Sequence, residues 1–185
     1  MTVPPVIGAL GAGRMGRGIA QAFAYAGHEV VLIDAKPRDA SAADALRAEA
    51  YAEIRASLAA LADAGGFKAR EIEPILARVR FVSRAEAAAA LARVDFLFEG
   101  VPEVLEAKRD AFAFACPHLH ADAVVASTTS TMLSTQLAHL VSNPQRFLNC
   151  HWLNPAYLIP LVELSPHAGT DPAVTARLKS ILEAI

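Results

Sequence analysis

The sequence predicts a doubly wound α/β fold, in which helices cover both faces of a mostly parallel sheet. Short apolar segments alternate with longer segments of helical character along most of the chain. A glycine-rich turn joins the first apolar segment to the first helix, and the next strand ends in a carboxylate. We therefore predict one α/β domain over residues 1–185, with a helical-hairpin insertion at about 38–80 and an antiparallel strand pair near its end.

The N-terminal segment indicates a strand, a turn, a helix and a second strand. The apolar residues 6–10 fit a strand buried on both faces, and the small residues 18–26 fit a helix that lies flat on a sheet. Gly27 is suited to end that helix. Residues 28–34, β-branched in the middle, complete a βαβ unit.

Residues 38–80 predict two antiparallel helices. Alanine and charged residues recur with helical spacing until Gly65 and Gly66 interrupt the pattern. A second apolar periodicity favours another helix over 71–80. The two helices together form the insertion.

Strands and helices alternate again after the insertion. Four apolar segments are predicted as strands, at 94–99, 123–127, 147–152 and 159–164. Helices are predicted at 103–115, at 134–141 and from Pro172 onwards, with Thr170 or Asp171 as the N-cap of the last one. That helix runs to Ile185, so we expect a second domain to be missing from this sequence.

The composition narrows the possible partners. The chain has 185 residues, 54% of them hydrophobic and 6% aromatic, so its core is built mostly of small side chains. A net charge of −2, from 17 Lys+Arg and 19 Asp+Glu, gives no electrostatic argument for nucleic acid or an anionic membrane. Two cysteines cannot form a disulfide framework, which favours the cytoplasm. No stretch has the length and apolar character of a membrane-spanning segment.

Residues 11–16 form the pattern Gly-x-Gly-x-x-Gly between the first strand and the first helix. Gly11 permits the tight turn, Gly13 lets the backbone approach a pyrophosphate, and Gly16 permits close packing of helix on strand. Asp34, at the end of the second strand, would accept hydrogen bonds from the adenine-ribose hydroxyls and repel a 2′-phosphate, which favours NAD over NADP. The alternative is a set of glycines that serves helix packing alone.

A histidine and a glutamate lie in the last two predicted strands. If these strands form an antiparallel hairpin, one register places Glu163 opposite His151, with Val162 opposite Trp152 and Leu164 opposite Cys150. A carboxylate beside an imidazole fixes its tautomer and stabilises its protonated form, as a general acid/base requires. The alternative is a structural strand histidine near an unrelated edge glutamate.

Hydroxyl side chains fill residues 127–131, at the end of the strand predicted over 123–127. In a doubly wound sheet they would lie at the carboxyl edge, where ligands bind. A helix-capping cluster explains the run equally well. The cysteine and histidines at 116–120 lie in a predicted loop without a second cluster, so we expect no metal site.

Taken together, these features resemble the NAD-binding domain of the 3-hydroxyacyl-CoA dehydrogenase family. The order and spacing match over essentially the whole chain. The matching blocks are GAGRMGRGIA from Gly11, Asp34, EGVPE from Glu99 with Lys108, STTS from Ser127, and HWLNP from His151 leading to LVE at 161–163. The resemblance implies a Rossmann-type fold with a CoA-contacting insertion. It also implies that the full-length protein is a homodimer with a helical C-terminal domain absent here.

The resemblance implies roles for individual residues as well. His151 is similar to the family's catalytic base and Glu163 to its partner carboxylate. Ser130 resembles the catalytic-site hydroxyl that contacts substrate and nicotinamide, and Asn154 resembles a polar contact near both. The implied cofactor contacts are the turn residues Gly11, Ala12, Gly13, Arg14, Met15 and Gly16, followed by Asp34, Glu103 and Lys108.

The reaction implied by the resemblance is NAD-dependent oxidation of a (3S)-3-hydroxyacyl-CoA to the 3-oxoacyl-CoA, as in fatty acid metabolism. We expect the fragment alone to be poorly active. Residues 155–160 are similar to a sister branch that acts on free hydroxy acids, such as gulonate or carnitine dehydrogenases, and this gives a second hypothesis for the substrate. A non-catalytic dinucleotide-binding module is the third.

Overall fold

A computed structural model describes residues 4–185 of the chain. In this part a seven-stranded sheet is flanked by helices on both faces, which confirms the predicted fold class. The strands are Ile7–Leu10 (β1), Val30–Ile33 (β2), Val79–Val82 (β3), Phe96–Glu99 (β4), Val124–Ser127 (β5), Phe147–Trp152 (β6) and Val162–Pro166 (β7). The α-helices are Arg14–Tyr25 (α1), Ala40–Asp63 (α2), Ile72–Leu76 (α3), Ala87–Leu91 (α4), Leu105–Ala115 (α5), Ser134–Leu137 (α6) and Pro172–Leu182 (α7).

The strand order is β3-β2-β1-β4-β5-β6-β7, with every neighbouring pair parallel except β6 and β7. The chain winds outward from β1 through β2 to β3 and then returns to place β4 on the other side of β1. This reversal is the topological switch point of a doubly wound sheet, where a crevice opens outside the carboxyl ends of the strands.

The core consists of apolar layers on the two faces of the sheet. On one face Phe23 of α1 packs against Trp152 of β6, with ring centroids 5.9 Å apart. On the other face Leu91 of α4 and Ala111 of α5 are buried against the sheet. Helices on both faces explain why β1, β2, β4 and β5 are buried throughout.

The helix predicted over 71–80 is wrong in its second half. Helix α3 ends at Leu76, and Val79 begins strand β3, which pairs in parallel with β2. Val79 and Phe81 are buried while Arg80 between them is exposed, the alternation of an edge strand. Edge pairing with β2 therefore overrides the helical periodicity that Val79 continues.

Other boundaries also differ from the prediction. Strand β7 begins at Val162, because Pro160 lacks the N–H that a ladder requires and the preceding residues form a turn. Helix α1 begins at Arg14, within the glycine motif. The helix predicted over 134–141 ends at Leu137 and continues as a 3₁₀ turn. The last helix starts as expected, because the Asp171 carboxylate accepts the Ala173 N–H at its N-terminus.

None of the helices within residues 4–185 is both long enough and apolar enough to cross a membrane.

Candidate active site at the carboxyl edge of the sheet

The residues singled out from the sequence follow one another along the carboxyl edge of the sheet. Asp34 follows β2, the glycine turn follows β1, Glu103 lies shortly after β4, and Ser130 lies after β5. His151 is the last residue but one of β6. Neighbouring strands are about 4.8 Å apart, so β1 and β6 are separated by about 14 Å. These residues thus line one edge of the sheet, as a single extended ligand would require.

The glycine turn needs two of its glycines for backbone reasons. Gly11 has φ +108°, a conformation that favours glycine, and its N–H donates to the Ile33 oxygen at 2.8 Å. A Cβ on Gly16 would lie 1.9 Å from the Gly11 oxygen, so no larger residue fits. A Cβ on Gly13, in contrast, would meet no atom within 4 Å in the described residues. Packing therefore does not require a glycine at position 13. The volume that its missing side chain leaves open lies beside the cleft.

Helix α1 presents an uncapped N-terminus to this cleft. Gly13 is its N-cap, so no side chain satisfies the first N–H groups, and the first turn has no acidic residue. Free N–H groups and the positive end of the helix dipole together suit a pyrophosphate. The cleft measures about 640 Å³ and is lined by Gly11 to Arg14, Arg17, Asp34 to Lys36, Arg38, Leu46, Gly100 to Pro102, Val104, Ala107 and Asp110.

Asp34 is almost fully buried at one end of the cleft, with 2% of its surface exposed. Its Oδ1 accepts the Lys36 N–H at 3.1 Å, and its Oδ2 accepts the Arg38 Nε–H at 2.7 Å. A carboxylate offers about four acceptor sites, so two remain for the two hydroxyls of an adenine ribose. The side chain fits the role that the sequence predicts.

Glu103 organises the hydroxyl-rich loop after β5. Its Oε1 accepts the Thr129 hydroxyl, the Thr131 hydroxyl at 2.9 Å, and the N–H groups of Ser130 and Thr131, each at 3.0 Å. Partial burial raises the pKa of Glu103, but these hydrogen bonds and the nearby Lys108 charge outweigh it and lower the pKa to about 2. The carboxylate is therefore ionised at neutral pH and fixes the loop that carries Ser130.

The hydroxyl cluster does not cap the helix that follows it. The N-cap of α6 is Leu133, which makes no side-chain capping bond. Thr129 instead accepts the Met132 N–H at 3.0 Å and closes the loop on itself. Ser130 is exposed, and its hydroxyl makes no hydrogen bond within residues 4–185.

His151 and Glu163 face each other across the antiparallel pair β6–β7. The observed register pairs them directly, and the flanking pairs Trp152–Val162 and Cys150–Leu164 also agree with the predicted register. His151 Nδ1 lies 2.7 Å from Glu163 Oε2. In the described part of the chain, the Nε2 atom of His151 has no hydrogen-bond partner. An imidazole held at Nδ1 with a free Nε2 can accept a proton.

A profile of the 3-hydroxyacyl-CoA dehydrogenase NAD-binding domain matches residues 6–185. The chain belongs to this family. It is a Rossmann-type NAD-binding domain, and NAD is its cofactor.

Relatives of known name resemble the chain over most of its length. A 3-hydroxybutyryl-CoA dehydrogenase of Bradyrhizobium diazoefficiens is 36% identical over 90% of this chain and 54% of its own. A 5-formyl-3-hydroxy-2-methylpyridine 4-carboxylate 5-dehydrogenase of Mesorhizobium japonicum is 30% identical over 97% and 54%. The crystal structure of (S)-3-hydroxybutyryl-CoA dehydrogenase PaaH1 from Ralstonia eutropha matches with a TM-score of 0.88 and 27% identity, over 98% of this chain and 61% of that one. The chain thus spans little more than half the length of these relatives.

Lys108, which the family resemblance marks as a cofactor contact, is fully buried in this NAD-binding domain. Its Nζ lies 2.9 and 3.0 Å from the two carboxylate oxygens of Glu99, 3.4 Å from Ser127 Oγ and 3.5 Å from Glu103 Oε2. Lys108 therefore links the end of β4 to the end of β5, beneath Glu103 and the hydroxyl-rich loop that Glu103 holds. Glu99 could have been suspected from the sequence, because it is a charged residue that directly follows three apolar ones in a buried strand.

Asn149 is a site residue that sequence reasoning missed. It is 7% exposed, and its Nδ2 donates to the Met132 oxygen at 2.8 Å, which ties the hydroxyl-rich loop to β6. The available signal was a polar side chain in an apolar strand, two residues before His151 and therefore on the same face. Asn154 lies just beyond β6, exposed, and its side chain makes no hydrogen bond within the described residues.

In the part of the chain that the structure describes, this edge has neither a nucleophilic cysteine nor a cluster of metal-ligating side chains. Cys150 adjoins His151 but is buried, and burial raises the pKa of its thiol, so the thiol stays protonated. No group of three or more His, Cys, Asp or Glu side chains that could hold a metal ion occurs in residues 4–185.

Proposed function

We propose that this domain forms the catalytic half of an NAD-dependent dehydrogenase that oxidises a (3S)-3-hydroxyacyl-CoA to the 3-oxoacyl-CoA. The observation that carries the proposal is the His151–Glu163 pair, 2.7 Å apart, on the same sheet edge as the dinucleotide cleft. A binding module without chemistry would have no need for an oriented imidazole there.

Bound NAD would supply the hydride acceptor, the nicotinamide C4, for the hydrogen on C3 of the substrate. His151 takes the proton of the 3-hydroxyl at Nε2, so that the C3–O bond becomes a carbonyl. Glu163 accepts the Nδ1–H, which leaves the Nε2 lone pair free, and its charge stabilises the imidazolium that forms. Proton and hydride thus leave from the two atoms of one C–O bond.

Ser130 and Asn154 are proposed to orient the substrate oxygen and the nicotinamide. Ser130 has a free hydroxyl on a loop that is held at its backbone by Glu103 and tied to β6 through Asn149. Such support leaves the hydroxyl available to a ligand while its position is fixed. Glu103 is proposed to act beside it at the nicotinamide end, where its Oε2 accepts none of the loop hydrogen bonds. Lys108 is fully buried, so we propose that it positions Glu103 from below and does not touch the cofactor.

The acyl-CoA substrate is supported by relatives named 3-hydroxybutyryl-CoA dehydrogenase, and the insertion that holds α2 is proposed to contact the CoA. A free hydroxy acid is the second candidate, because a relative of 30% identity is named for a pyridine carboxylate. We further propose a cytoplasmic homodimer, active in fatty acid metabolism when a helical C-terminal domain is joined to this one.

The test uses the full-length protein with acetoacetyl-CoA and with a panel of free 3-oxo and 3-hydroxy acids, following NADH absorbance. Faster turnover of acetoacetyl-CoA supports the acyl-CoA substrate, and faster turnover of a free acid favours the second candidate. His151→Gln should reduce turnover by about 10²- to 10⁴-fold, the usual contribution of a general acid/base, while NADH affinity is retained. His139→Gln, at an exposed histidine away from the site, is the matched control. Unchanged turnover in His151→Gln would contradict the proposal.

A further inference from the structure

Two basic residues follow Asp34 in the chain and line the same cleft. Lys36 and Arg38 follow β2 on the same loop and line the cleft with the glycine turn. In the sequence, Asp34 is the one residue that favours NAD over NADP. The structure places a guanidinium directly on that carboxylate, with Nε 2.7 Å from Oδ2.

Most N–H donors of the Arg38 guanidinium are not used in the contact with Asp34. A guanidinium has five N–H donors, and the Asp34 contact uses the one on Nε. The four N–H groups on the two Nη atoms donate to no acceptor within residues 4–185. The side chain is 33% exposed, whereas that of Asp34 is 3% exposed, so the free face of the guanidinium can be reached by a ligand.

We propose that Arg38 is a second specificity-determining residue of the cleft, acting in opposite directions on NADH and NADPH. With Asp34 present, Arg38 holds the carboxylate in place for the two ribose hydroxyls. With Asp34 removed, the same guanidinium binds the 2′-phosphate of NADPH. The inference rests on dinucleotide binding in this cleft and not on the reaction proposed above.

The charges explain why the native site still favours NADH. A 2′-phosphate would lie against the Asp34 carboxylate, whose charge is poorly screened because the group is buried. Arg38 is already neutralised by that carboxylate, and the pair offers the phosphate little net attraction. Without the carboxylate, the guanidinium fork matches a phosphate with two parallel N–H···O bonds.

The experiment measures NADH and NADPH binding by nucleotide fluorescence in four proteins: the unchanged chain, Arg38→Ala, Asp34→Ser, and the double variant. We expect Asp34→Ser to weaken NADH binding and to strengthen NADPH binding by at least about 10-fold. Adding Arg38→Ala to Asp34→Ser should remove that gain and weaken NADPH binding by about 10- to 100-fold, as for a charge-assisted hydrogen bond. In the unchanged background, Arg38→Ala should weaken NADH binding by a smaller factor.

Two controls distinguish the effect of the Arg38 guanidinium from that of any positive charge near the phosphate. Lys36→Met removes the other positive charge of this loop and keeps the backbone N–H of residue 36. In the Asp34→Ser background, it should weaken NADPH binding less than Arg38→Ala does. Arg38→Lys keeps the charge and loses the fork, and we expect it to restore part of the NADPH affinity. Thermal unfolding of each variant verifies that the protein is folded.

The proposal is overturned if the double variant binds NADPH as tightly as Asp34→Ser, or if Lys36→Met abolishes the gain and Arg38→Ala does not. An unchanged chain that binds neither nucleotide would overturn this inference and the cofactor assignment together. Tight NADH binding by the full-length protein without turnover would contradict the proposed reaction and leave the Arg38 result interpretable.

Discussion

Arg17, in the first turn of α1, donates its Nε–H to the carbonyl oxygen of Ala12 at 2.9 Å, inside the glycine turn. The same guanidinium donates through Nη1 to Glu49 at 2.9 Å and to Glu53, both on α2. The Arg17 side chain is buried, and its contacts join the glycine turn to α2, the first helix of the insertion. A change at this position should therefore affect both stability and cofactor binding.

We expect Arg17→Met to lower the free energy of unfolding by about 1–3 kcal/mol, because hydrogen bonds to a charged group are lost and Glu49 and Glu53 are left without their cation. NADH affinity should fall as well, since the Ala12 carbonyl is released. Urea unfolding and NADH titration measure the two effects. Arg55→Met is the matched control, because its pair with Glu73 is exposed on both sides and should contribute little to the free energy of unfolding. An equal loss of unfolding free energy in Arg17→Met and Arg55→Met would contradict the prediction.

The pKa of Glu103 predicts a pH dependence of stability. Its folded-state pKa of about 2 lies below the ordinary value of 4.5, so the ionised form stabilises the fold. That contribution is complete above about pH 4.5 and is lost as the pH falls towards 2. Because 37% of the side chain is exposed, screening by solvent reduces the effect.

Glu103→Gln should flatten the loss of stability between about pH 4.5 and 2, as measured by urea unfolding at several pH values. Glu106→Gln, at another carboxylate close by in the chain, is the control. If the two variants show the same pH dependence, the hydrogen bonds from Thr129 and Thr131 do not hold the Glu103 carboxylate in solution.

The buried pair of Lys108 and Glu99 predicts a strong and non-additive effect on stability. Both side chains have 0% exposure, so Lys108→Met leaves the Glu99 charge buried without a cation, held only by hydrogen bonds from the Val101 N–H and the Ser127 hydroxyl. Loss of one partner of a buried pair costs about 3–5 kcal/mol. The double variant Glu99→Gln/Lys108→Met removes both charges and should recover a large part of that loss. Urea unfolding of the single and double variants tests this, and simple additivity would refute it.

Local sequence patterns sufficed to predict that the glycine turn follows β1, that Asp34 follows β2, and that β6 and β7 form an antiparallel pair. The turn and Asp34 belong to a single βαβ unit, whose residues are joined by short connections. Two apolar segments on either side of a chain reversal predicted the hairpin, but the register that pairs His151 with Glu163 was an assumption among the possible registers, and the structure confirms it. Each of these features depends on neighbours within a short stretch of chain.

Features that depend on distant partners could not be predicted in the same way. Strand β3 exists because Val79–Val82 pairs with β2, nearly fifty residues earlier, while Val79 also fits the helical spacing of α3. Arg17 meets Glu49 on another helix, and Asn149 meets the carbonyl oxygen of Met132. The sequence contains these residues but does not indicate which backbone atoms or helices they reach.

The contact between Glu163 and His151 gives the last prediction. Glu163→Gln preserves the size of the side chain, but its amide can donate to Nδ1, and that donation favours the tautomer with a proton on Nε2. An Nε2–H cannot accept the substrate proton, and the imidazolium also loses its nearby negative charge. We therefore expect turnover of the full-length protein to fall by about 10²-fold or more, a loss within the range of general acid/base catalysis.

NADH affinity should be unchanged, because Glu163 lies on β7, beyond the cleft lined by the glycine turn. Glu183→Gln, at an exposed glutamate just after α7, is the control. A variant with full turnover would show that the carboxylate of Glu163 only supports the hairpin.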